Sequence, residues 1–233
     1  MTDPTIIPAP IPAMDASPGT ASNANHVPRS LFAFSVFYGG MVCLAGILAN
    51  KQIHIGPLEV EAGIFAFILL VMLSSAVAEL HGRAVANKLV AFGFAPLIFS
   101  IFLTLFVLAL PPSPQMPAER LLAFDTMMLA TPRIWCAGIL AYGAGQFLNV
   151  YLFSRLRAAT GRWIALRGVI AGILSQMVDT AIFIPVSFLG EFPITNLLVG
   201  QIIAKVILVM VFIPLVIVLL VRFGRWLDER APV

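Results

Sequence analysis

Two pairs of polar residues, set in long apolar stretches, have the types and spacing for chemistry inside a membrane. Gln176 and Asp179 are three residues apart and Gln201 and Lys205 four apart, so each pair lies on one face of a helix. A buried carboxylate accepts hydrogen bonds and can hold a proton, and a buried ammonium donates or neutralises. Inserting such groups costs roughly 2.5 to 3.5 kcal/mol each, so they turn to the protein interior or to a water-filled cavity. There they either bind and couple or tie helices together. Lys205 lies a turn deeper than Gln201, too deep to snorkel easily, and calls for a carboxylate such as Asp179.

Around Asp179 the stripe Gly168, Gly172, Ser175, Gln176 and Asp179 falls within about 100° of arc, with Phe183 on the same side. Gly168-x-x-x-Gly172 lets a neighbouring helix approach closely. A second stripe, Gly138, Tyr142, Gly145, Gln146 and Asn149, offers two amides and a phenol but no charge. Ligand contact and interhelical bonding both fit it. Glu79 has Arg83 at i+4 as a natural partner. Glu59 and Glu61, at the outer start of the same helix, complement its dipole and read as structural. Asn196 reads as a helix cap.

Other chemistries are poorly supplied. Cys43 and Cys136 lack a Cys-x-x-Cys spacing and suit apolar packing. His26, His54 and His81 are scattered, with no i, i+4 metal pair. Neither a metal nor a cofactor is expected. Ser175 with Asp179 lacks a histidine, so the chain is not expected to be an enzyme. No Gly-x-x-x-x-Gly-Lys-Ser/Thr is present, so ATP hydrolysis would need a partner.

The composition says which elements must carry these residues. Of 233 residues, 60% are apolar and 11% charged, at a mean hydropathy of +1.00, whereas soluble domains carry about a quarter charged residues. The chain is therefore read as an integral membrane protein, not a soluble enzyme, a nucleic-acid binder or a disordered regulator. Its net charge of +3 is too small for polyanion binding. A span needs about 20 apolar residues, and six stretches qualify: 31–50, 60–79, 89–110, 134–153, 165–189 and 197–221. The expected fold class is an all-α bundle of six transmembrane helices. Residues 1–29 read as a disordered tail, 30–222 as the transmembrane domain and 223–233 as a second tail. Leu31–Asn50 is long enough to span and does not resemble a signal peptide.

Ten Lys and Arg, Arg167 among them, fall on the side of the N-terminus, and Lys51, Arg120 and Arg133 on the other. Basic residues favour the cytoplasm, so both termini are expected there. Pro111 to Pro117 stops the third span. Residues 118–129 then read as a short interfacial amphipathic helix or as a mobile loop. Pro96, Pro185 and Pro214 lie inside spans and can bend them, as alternating access requires.

Ser175-Gln176-Met177-Val178-Asp179-Thr180, preceded by Arg167, and Ala78-Glu79-Leu80-His81-Gly82-Arg83-Ala84-Val85-Ala86 resemble the vitamin-uptake-like family of queuosine precursor transporters, over roughly residues 31–222. Where members commonly have Thr-Asp ahead of that Glu, this chain has Ser74-Ser75. The resemblance implies a multi-pass inner-membrane importer of 7-cyano-7-deazaguanine or its aminomethyl relative. It implies that Asp179, or failing it Glu79, accepts the donor edge of the base, with Gln176, Gln146 and Asn149 serving its other polar atoms. Tyr142 or Phe183 would stack on the ring. Facilitated diffusion and proton coupling through Asp179 or Glu79 stay open. So do a homo-oligomer and a role as the binding subunit of a complex energised by separate ATPases.

Overall fold

The computed structural model describes residues 27–129, 131–157, 161–190 and 193–230, so the expected tail up to residue 26 lies outside the described residues. Among the described residues seven helices follow in order: α1 (Arg29–Leu48), α2 (Ile64–His81), α3 (Arg83–Ala109), α4 (Ala118–Leu129), α5 (Thr131–Arg155), α6 (Ile164–Phe188) and α7 (Thr195–Glu229). Six are long and apolar enough to cross a membrane, α5 carrying the span that follows the short α4. The chain is a multi-pass helical membrane protein.

Hydropathy places the spans but not their ends, because it reports depth in the lipid rather than where hydrogen bonding stops. Residues 80–88 were expected to connect two spans, yet α2 and α3 are parted by Gly82 alone, at φ +85°, a conformation glycine adopts freely. The last helix runs eight residues past position 221. Its Asp228 accepts hydrogen bonds from the Ser30 amide at 2.9 Å and the Ser30 hydroxyl at 2.7 Å, satisfying a donor of α1's first turn. Residues 118–129 form the helix rather than a loop. Asn196 is not a cap: α7 starts one residue earlier, at Thr195, with Ile194 in the cap position.

The connection after α1 holds a hairpin that the span pattern did not predict, β1 (Gln52–Ile55) and β2 (Leu58–Glu61), paired antiparallel with Ile55 opposite Leu58. Its two-residue turn places Gly56 at φ +60° ahead of Pro57, the residue types that a tight hairpin turn favours. Glu59 and Glu61 therefore belong to a strand, not to the first turn of α2.

Buried α2 forms the centre of the bundle, touching α1, α3, α5, α6 and α7. The pairs α5–α6 and α6–α7 pack most extensively, and β2 lies against α7. α1 and α3 turn large apolar side chains outward, including Phe32, Phe92, Phe99 and Phe102, as a lipid-facing surface would.

Candidate functional site

The glycines of α6 and α5 decide where Asp179 sits. A Cβ on Gly168 would meet Ile213 at 2.7 Å and one on Gly172 would meet the same side chain at 2.7 Å, so α7 lies tight against α6. On the other flank a Cβ on Gly145 would come within 3.0 Å of the Asp179 Cβ and 3.4 Å of the Ser175 carbonyl. Held between two helices, Asp179 accepts a hydrogen bond from Lys205 Nζ at 2.6 Å, and both side chains are buried. The Lys205 ammonium also lies 5.5 Å from the centre of the Phe67 ring, within range of a cation–π attraction.

One turn along α7, Gln201 reaches the hairpin. Its Nε2 donates to Glu61 Oε1 at 2.8 Å, while the Glu61 amide donates to its Oε1 at 3.0 Å. Glu61 Oε2 accepts the Gly63 amide at 2.8 Å. Only 1% of Glu61 is exposed. Its carboxylate does sit at the start of α2, on the amide of the N-cap Gly63, but from the hairpin and buried in the bundle rather than from the helix's own first turn.

Nearer the middle of α2 lies an uncharged belt. The Ser74 hydroxyl donates to Gln146 Oε1 at 3.1 Å, and Asn149 Nδ2 lies 3.0 Å from the Ser74 and Ser75 hydroxyls. Asn149 Oδ1, Gln176 Oε1 and Thr180 Oγ1 are buried without a hydrogen-bond partner. Buried polar atoms are nearly always paired, so these three stand out, as do Arg167 Nε and Ser187 Oγ.

Glu79 does not join this group, nor does it pair with Arg83. Its Oε2 accepts from Arg167 Nη2 at 2.7 Å, and Arg167 also stacks on Phe153, 4.6 Å from the ring centre. Arg83 lies over Tyr151 instead. Arg167 is 1% exposed, so it belongs inside the bundle and not with the loop charges. Along α6 it is about 18 Å from Asp179, at 1.5 Å per residue.

The aromatic candidates part as well. The Tyr142 hydroxyl lies 3.0 Å from both the Tyr38 hydroxyl and the Val90 carbonyl, which commits it to α1 and α3. Its ring, with Phe183, Phe67 and Trp135, lines a small cavity of about 20 Å³, close to the room a single water needs. Little free space is thus left at this aromatic wall. Sequence reasoning passed over Phe67, which resembles any core residue, and Tyr38, whose partner is 104 positions away.

Taken together, these groups bring a buried carboxylate–ammonium pair, polar atoms with no protein partner and an aromatic wall into the bundle interior. A family model described as "Putative vitamin uptake transporter" matches residues 61–219. The chain belongs to this family. Within the curated proteins it is similar to the "Probable queuosine precursor transporter" of Bacillus subtilis (strain 168), 28% identical over 160 residues that cover 68% of this chain and 69% of that protein. It is also similar to the "Queuosine precursor transporter" of Escherichia coli (strain K12), 24% identical over 212 residues, 88% of this chain and 93% of that one. No solved structure matches. The matched region of this vitamin uptake transporter family member begins at Glu61 and contains every site group described above except Tyr38.

Proposed function

We propose that the chain imports queuosine precursors, the 7-deazaguanine bases bearing a cyano or an aminomethyl group, through the inner (plasma) membrane. The names of both relatives support this reading. The observation that carries it is Asp179, buried between α5 and α7 beside the unpartnered Gln176 Oε1 and Thr180 Oγ1. A guanine-like edge presents a ring N–H and an amino group side by side, and one carboxylate accepts both with charge-assisted bonds. Gln176, Gln146 and Asn149 serve the remaining polar atoms, and Phe183 with Phe67 supplies a face for the ring.

In this reading both termini are cytoplasmic, with the hairpin and α4 outside. Gly168 and Gly172 are filled by Ile213 and Gly145 by Asp179, so these three glycines serve packing within the bundle rather than docking of a partner.

The test is uptake of a labelled 7-deazaguanine base by cells that lack both its synthesis and its import. Uptake should appear only when the chain is expressed, and background uptake with the chain in the membrane overturns the reading. Uptake into liposomes by the purified chain alone would show that no energising partner is required.

A further inference from the structure

The buried charges around α7 do not balance. Among the described residues Lys205 is the one cation beside two carboxyls, Asp179 and Glu61, and it is bonded to Asp179. Glu61 of β2 meets α7 one turn along from Lys205, held by the neutral donors Gln201 and Gly63, and among the described residues no cation forms an ion pair with it. With both acids ionised, the cluster would keep one uncompensated negative charge out of water, an expensive state. One proton, COO⁻ + H⁺ → COOH, removes it with no other bond changed.

Resting on the transport reading above, we propose that Glu61, rather than Asp179 or Glu79, carries the proton of a proton-coupled cycle. Asp179 is occupied by Lys205 and is the group the base would claim; Glu79 is neutralised by Arg167 at the other end of α6. Glu61 lies on a hairpin whose His54 and Glu59 are exposed. An open cleft of about 270 Å³, lined by Pro57, Leu58, Glu59, Asn196, Val199 and Gly200, ends one residue from Gln201. There a Cβ on Gly200 would meet the Glu59 carbonyl at 2.5 Å, so the hairpin backbone seals directly onto α7. The charged groups turned toward Glu61 are Lys205 of α7 and Asp179 of α6; Lys51, His54 and Glu59 of the hairpin region are exposed.

The electrostatics agree with this geometry. Glu61 lies on the hairpin, outside the spanning helices. Burial raises its carboxyl, Lys205 opposes, Asp179 adds, and the Gly63 and Gln201 hydrogen bonds lower it, leaving it at about 7, where small changes in surroundings switch its state.

Two measurements on the purified full chain test the proposal. In proteoliposomes, an imposed inward proton gradient should drive labelled 7-deazaguanine base several-fold above equilibrium, and Glu61→Gln should abolish that accumulation. No gradient effect in the unaltered chain, or one that survives in Glu61→Gln, overturns it. Without substrate, infrared difference spectra between mildly acid and mildly alkaline buffer should show a carboxyl band that Glu61→Gln lacks. Gln201→Met, which removes a hydrogen bond that favours the ionised form, should move the midpoint of that band to higher pH. A band unchanged in both variants also overturns the proposal. If the band behaves as expected but no base is transported under any gradient, the assigned substrate is at fault and not the proton site.

Discussion

Arg167 and Asp179 stand twelve residues apart on α6, and each forms a buried ion pair with a different helix, Arg167 with Glu79 of α2 and Asp179 with Lys205 of α7. The uncharged belt of Ser74, Ser75, Gln146 and Asn149 lies between these two levels along α2. A buried ion pair adds little net stability over apolar packing, but breaking one strands a charge at a cost of about 3–5 kcal/mol. Two such pairs on one helix therefore fasten α6 to α2 at one level and to α7 at another.

Asp179→Asn should reduce uptake of the labelled base to background while the protein still reaches the membrane. The amide keeps the shape but loses the charge that draws both Lys205 and the donor edge of a base. Because the variant strands Lys205, its thermal midpoint should fall too, and adding Lys205→Met should restore much of the midpoint without restoring uptake. Wild-type uptake by Asp179→Asn would make the residue a structural one.

Gly145 tests the same residue from its other flank. A methyl group there lies 3.0 Å from the Asp179 Cβ, a few tenths of an ångström too close, and overpacking of this kind typically costs 1–3 kcal/mol. Gly145→Ala should weaken uptake several-fold and Gly145→Val should abolish it, each with a graded fall in melting temperature. Equal uptake in all three proteins would show that α5 need not approach Asp179 so closely.

How much of this the sequence showed depends on the range of the interaction. The stripe on α6 was legible because helical spacing alone puts Gly168, Gly172, Gln176 and Asp179 on one face, and depth alone demanded a partner for Lys205. The hairpin was legible too, since Gly56-Pro57 stands between alternating Ile53, Ile55, Leu58 and Val60, but counting apolar residues absorbed β2 into a span. Glu79 was misread because a partner at i+4 satisfies local rules, whereas its actual partner is 88 positions away. No local pattern distinguishes Arg167 from a loop arginine; only the packing of α6 against α2 does.

Exchanging that pair should separate charge from position. Glu79→Gln or Arg167→Ala should lower the melting temperature of the purified protein, Arg167→Ala more so because it also loses the stacking on Phe153. The double exchange Glu79→Arg with Arg167→Glu should recover part of the loss. A double exchange no better than the sum of the two single reversals would mean that the 2.7 Å contact contributes nothing as a pair.

The orientation is checked by thiol accessibility. With Cys43 and Cys136 replaced by Ala, a cysteine at Ser113 should react in intact cells with a reagent that cannot cross the membrane. One at Arg162 should react only after the membrane is opened. Both positions are exposed, so a silent residue would reflect sidedness and not burial. The reverse pattern would place the hairpin and α4 in the cytoplasm.

Stability should also depend on pH in a direction set by Glu61. Its carboxyl is raised from an ordinary 4.5 to about 7 in the folded protein, so the folded state binds its proton more tightly than the unfolded chain does. Its contribution to stability is complete below about pH 4.5 and is lost as the pH climbs through 7. Melting curves of the purified protein should thus move to lower temperature between mildly acid and mildly alkaline buffer. Glu61→Gln cannot ionise and should flatten that part of the dependence, leaving whatever slope other groups such as His81 contribute. A variant with the same slope as the unaltered chain would show that Glu61 does not titrate in this range, and the neutral cluster would then need another source for its proton.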